Sequence, residues 1–214
     1  VLRYQVPGFE ELTLKQKKLV YFLTEAGLAG RDIMYDQNYR HNLSIRRALE
    51  NVYTKYKGDK ENSNWKRFEI YLKRIWFSNG IHHHYSNDKF VPGFSNVYLQ
   101  SLLSDTKTPL NSDALDIIFD DSDSKKVNRD ASKGLVIGSA VNFYGEDVTE
   151  KDVDTFYNIL KSPDPNKPLS LGLNSKLVKE DGKLMEKIYR VDGMYSNSIK
   201  KIIYWLDKAK EVAE

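Results

Sequence analysis

The chain lacks cysteine altogether, which excludes disulfides, thiol catalysis and any zinc site built on thiolates. No apolar run approaches the length of a membrane span, and no signal-peptide pattern opens the chain. The zinc-protease motif HExxH is missing, as are a GxSxG nucleophile elbow and a phosphate-binding glycine loop. No pair of carboxylates stands at a spacing that suggests acid–base work. Val1, not Met, comes first, in the strand-like "VLRYQV". This reads as a piece of a longer protein, so the missing signal says little about compartment; a cytoplasmic location is favoured over a periplasmic one.

What is present suits a folded domain. The 214 residues are 40% apolar and 29% charged, which argues against wholesale disorder and allows one sizeable domain or two small ones. The net charge of +3 hides an asymmetry: residues 1–107 carry 17 Lys/Arg against 11 Asp/Glu, and residues 108–214 carry 16 against 19. A nucleic-acid binder would gather its cations on one face with aromatics between them. Here they fall in helical patterns that a solvated face explains, so neither a nucleic acid nor a membrane is expected as partner.

Apolar periodicity predicts three helices early in the chain: from Thr13 (Leu19, Val20, Phe22, Leu23, Ala26), after Asn42 (Ile45, Leu49, Val52, Tyr53, Tyr56), and from Ser63 (Trp65, Phe68, Leu72, Ile75, Trp76). Together they are expected to build one core. Shorter helices are expected over Phe94–Leu103 and from Ser112. In "DALDIIFDDSDS", Asp121, Asp123 and Lys125 begin like a calcium loop, but its glycine and closing glutamate are missing. A solvated acidic loop is expected there.

Further on, "GLVIGSAVNFYGE" alternates as a strand, with Leu135, Ile137, Val141 and Phe143 on one side. Thr149 and Asp152 form a capping box, with Val148 placed to staple onto Val153, for a helix that Pro163 ends. Residues 169–193 read as a hairpin turning at Asp181-Gly182. Ser196 is expected to cap a last helix whose Ile199, Ile202, Ile203, Leu206 and Ala209 face inward. The fold class is α+β: mainly helical at first, then a small antiparallel β element and a C-terminal helix. A sub-division into a helical part, 1–107, and an α+β part, 133–214, is conceivable.

Three of the four histidines are consecutive, in "SNGIHHHYSNDKFVPGF". In an extended segment His82 and His84 point to one face and His83 to the other, so at most two could share a metal. No spacing demands a further ligand, and a surface loop is the plainer account.

That same stretch resembles a segment of the dipeptidyl peptidase III family, in which an Asn/Gly turn leads through an aromatic position to Lys-Phe-Val-Pro. The resemblance spans nearly the whole chain. "AVNFYGEDVTEKDVDTFYNIL" is similar to the family's strand, Tyr-containing turn and helix. "GMYSNSIKKIIYWLDKAKEVAE" is similar to the helix before its peptide-binding segments. "LTLKQKKLVYFLTEAGLAGRDIMYDQNYRHNLSIRRALENVY" looks like the first helices of bacterial members. The family's members are two-lobed zinc exopeptidases that release dipeptides from peptide N-termini, with zinc held in the upper lobe by HExxGH and a later Glu. That motif does not occur here. The resemblance therefore implies that residues 1–214 are the N-terminal part of the lower, substrate-supporting lobe, without activity alone. Zinc would belong to the full-length parent and not to this piece. The implied partners are an oligopeptide substrate and the remaining catalytic lobe. Tyr85 falls at the cleft-lining aromatic position, preceded by the turn Asn79-Gly80, with His84 beside it; plain loop packing is the alternative for Tyr85. The histidines either tune peptide contacts or do nothing. A non-catalytic protein- or ligand-binding module is the competing reading of the whole.

Overall fold

A computed structural model describes residues 5–122, 125–160, 164 and 166–214. In chain order it comprises α1 (Leu14–Ala29), α2 (Arg31–Asn38), α3 (Asn42–Lys55), α4 (Ser63–Ser78), α5 (Asn96–Asp105), α6 (Ser112–Phe119), α7 (Glu150–Ile159), β1 (Ser175–Glu180), β2 (Lys183–Ile188) and α8 (Ser196–Ala213). Among the described residues β1 and β2 make the one sheet, a two-stranded antiparallel hairpin. The chain is thus mainly helical α+β.

Local chemistry sets most of the helix starts. Thr13 and Gln16 close a capping box on α1, and Thr149 and Asp152 do so on α7. Asn62, Ser95 and Asn111 cap α4, α5 and α6 through their side-chain oxygens, each satisfying an N–H that the helix leaves without a carbonyl. Asp181 and Gly182, both at positive φ, make the tight turn of the hairpin.

The chain divides into two compact units: Met34–Lys187, and the residues up to Ile33 together with Ile188–Glu214. This division follows neither 107 nor 133. The larger unit holds the core, in which α3, α4, α5 and α6 bury Ile45, Leu49, Val52, Phe68, Leu72, Ile75, Leu99, Leu102 and Ile118. Trp65 lies at its centre, its ring stacked on Tyr53 and Tyr56 at 6.0 and 4.6 Å. In the smaller unit α1 packs against α8, with the Phe22 and Trp205 rings stacked at 5.9 Å.

Several expectations need correcting. The first helix does not share a core with α3 and α4: α1 pairs with α8, and its Val20 and Leu23 are exposed. The stripe expected for α8 holds in part: Ala209 is buried and Ile199 and Ile202 are half-buried, but Ile203 and Leu206 are exposed. Ser196 is the first helical residue and not the cap; its hydroxyl accepts from the Asp192 N–H. α2 was not foreseen. The alternating run 134–146 is not a strand. Gly134 takes positive φ, Gly138 N–H turns back to its carbonyl, and Leu135 and Ile137 stay exposed. Two glycines and a serine let the backbone coil where alternation alone suggested extension. Only Tyr144 reaches a strand partner, as an isolated bridge to Leu177. Residues 1–4 of the opening strand, Asp123 and Pro163 lie outside the described residues.

Candidate functional site

The site is built on the end of α4. Its last turn is closed by Asn79 in the left-handed conformation, and Gly80 then reverses the chain at φ +146°, its N–H donating to the Ile75 carbonyl. No other residue fits at 80, since a Cβ there would lie 2.2 Å from the Asn42 amide nitrogen. Asn42 is buried and does two things: its Oδ1 accepts from the Ile81 N–H, and its Nδ2 donates to the Tyr35 carbonyl. The carbonyl of Asn79 accepts from Asn38 Nδ2 at 3.0 Å. Asn79 and Gly80 therefore aim the following loop and do not themselves face open space, Gly80 being buried.

That loop is a small hairpin. Phe90 N–H donates to the Ile81 carbonyl, His82 bridges Lys89, and His83 N–H donates to the Asp88 carbonyl at 2.7 Å. The three imidazoles go separate ways. His82 is 2% exposed, edge-on to Tyr39. His83 Nδ1 accepts the N–H groups of both Tyr85 and Ser86 at 3.1 Å, which closes the turn. His84 contacts the Ser78 hydroxyl through Nδ1 and packs on Phe77, His83 and Tyr85. The expected pairing of His82 with His84 on one face is thus replaced by a stacked His83–His84 pair, with His82 turned into the core. No group of three or more His, Asp or Glu is placed to hold a metal among the described residues.

The turn stands between two cavities. One, of about 630 Å³, is largely apolar and lined by Ile70, Phe77, His83, His84 and Phe90 together with Lys73 and Arg74. The other, of about 540 Å³, runs from Tyr85, Ser86 and Asn87 to the segment holding Lys125, Arg129 and Lys133. Both volumes fall within the ~300–1,000 Å³ typical of ligand pockets. Tyr85, on the ridge, is 82% exposed. Lys125 pairs with Asp88 at 2.9 Å; this bond, with help from Ser86, holds the Asp88 carboxyl below the usual range.

A third cavity, about 260 Å³, lies between Tyr39-Arg40 and residues 136–146. Its polar groups are mutually engaged: Arg40 pairs with Glu146 at 2.8 Å, and Asn142 links Asp36 to Lys176, whose pKa burial pulls down. These bonds fasten segment 136–146 to α2 and leave little free to hold a ligand.

Sequence reading singled out Tyr85, Asn79, Gly80 and His84 but missed the walls around them. Ile70, Lys73, Arg74 and Phe77 recur at helical spacing on the side of α4 opposite its core stripe, a second pattern visible in the sequence. The basic run "KKVNRDASK" was the signal for the other wall. In comparison with known proteins, neither a family model nor a curated protein matches the chain.

Proposed function

We propose that this chain is the substrate-supporting lobe of a zinc-dependent dipeptidyl peptidase of the dipeptidyl peptidase III type. In this reading it lends peptide contacts and the parent's other lobe supplies the metal and the bond cleavage. The observation that carries it is an exposed aromatic, Tyr85, held on a backbone-bonded turn between an apolar groove and one lined with charged side chains. A phenol so placed packs its ring against an extended peptide while its hydroxyl stays hydrated. The order of segments resembling the family, from α1 through α8, supports the same assignment. The chain alone is expected to bind no stoichiometric zinc and to release no dipeptide from a dipeptidyl naphthylamide. The longer protein that contains it is expected to do both. Metal analysis after dialysis, run beside that assay, checks each half. Activity of the isolated chain that survives repurification, or a longer protein with no zinc-dependent dipeptide release, contradicts the proposal.

A further inference from the structure

The groove on the Tyr85 side has a charge character that the lobe assignment does not require. Its far wall is one basic segment, Lys125 to Lys133, and that wall is fastened at several points. Lys126 N–H donates to the Asn87 carbonyl at 3.0 Å, and the carbonyls of Lys125 and Lys126 accept from Ala140 and Val141. Asn128 N–H donates to the Ser139 hydroxyl, and its amide ties to the carbonyls of Asp130 and Gly134. The backbone is thus bonded on both sides, and the cations project from a fixed base.

The charges in the groove are unequally engaged. Lys125 is paired with Asp88. Asp130, the groove's own carboxylate, accepts from the Ser132 N–H and hydroxyl, and these bonds, with lesser help from Lys133, keep it ionised below the usual range. Arg129 and Lys133 have no ion pair among the described residues. An aromatic ridge thus faces a wall with two cations that have no ion pair among the described residues, across a space of peptide size.

Resting on the lobe assignment, we infer that this groove selects peptides bearing a carboxylate, which Arg129 and Lys133 receive while the neighbouring backbone lies against Tyr85. The carboxylate is either an acidic side chain or the free C-terminus of a short peptide. Arg129 offers a planar fork that matches a carboxylate in two-point contact, and Lys133 adds a mobile point charge.

The test titrates the full chain, followed by amide NMR, with tetrapeptides that share an Ala-Ala start. They end in Gln-Gln amide, in Gln-Gln with a free carboxylate, or in Glu-Glu amide. One or both carboxylate peptides are expected to bind roughly five-fold more tightly than the neutral amide, as paired charges at a wet surface allow. Which of the two gains identifies the source of the carboxylate. The gain should vanish in Arg129→Ala/Lys133→Ala and shrink between about 50 and about 500 mM salt. Tyr85→Ala should weaken all three peptides alike. Equal binding of the three, or a gain that survives the double substitution, overturns the carboxylate site and leaves the lobe assignment standing. Failure of every peptide, the neutral amide included, overturns both.

Discussion

His83 shows how a side chain that looked like a metal ligand serves the backbone instead. Its Nδ1 accepts two N–H groups, from Tyr85 and Ser86, which the tight turn would otherwise leave to water. The imidazole thereby fixes where Tyr85 points. His83→Ala should cost about 1 kcal/mol of stability, the worth of a half-exposed acceptor. His83→Asn, whose side-chain oxygen can accept from the N–H groups two and three residues on, should recover most of it. Urea denaturation of the two variants checks this; equal loss in both would mean that ring stacking, not hydrogen bonding, holds the turn. Gly80 is the stricter position. A methyl group there collides with Asn42 and opposes a positive φ, so Gly80→Ala should cost about 3 kcal/mol. Neither role could be read from "NGIHHHY": the partners of residues 80 and 83 depend on Asn42, far away in sequence, and on the turn's own closure.

At the scale of elements, what was legible followed from local chemistry. The caps of α1 and α7, the hairpin at Asp181-Gly182 and the core stripes of α3 and α4, apart from Trp76, which is exposed, were readable, because each is set by residues within a few positions of one another. The run 134–146 was misread because its alternation was genuine but its glycines prevailed, and α2 was missed because its eight residues hold their apolar side chains in one block, Ile33 to Tyr35, with no repeat at helical spacing. The capping box on α7 gives a pH dependence. Hydrogen bonds from the Thr149 backbone and hydroxyl, then from the Lys179 ammonium, bring the Asp152 carboxyl down to about 2. An unfolded aspartate titrates near ~3.9. Because the folded form holds its proton less tightly, the stabilisation is complete above ~3.9 and is lost as pH falls towards about 2. Chemical denaturation of the wild type and Asp152→Asn should therefore differ most near neutrality, and the gap should close across that acid window. A gap independent of pH would show that the charge on Asp152 adds nothing.

For the whole molecule, the expected core was only partly right. A core of α3 to α6 carries the turn, whereas α1, placed in the same core by its pattern, pairs with α8 in a separate unit. Helical periodicity says that a face is apolar but not which face it meets, so the partner of α1 was beyond reach. The turn and its grooves belong wholly to the larger unit, built on α4 and closed by segment 125–133. The proposed lobe assignment has Tyr85 serving a peptide substrate and not the fold, and one variant separates the two. Under that assignment, Tyr85→Ala in the longer enzyme should lower kcat/KM roughly ten-fold, a loss of about 1–2 kcal/mol in the transition state, with the melting temperature nearly unchanged. A steep fall in melting temperature with kcat/KM intact would contradict the account and make Tyr85 a packing residue.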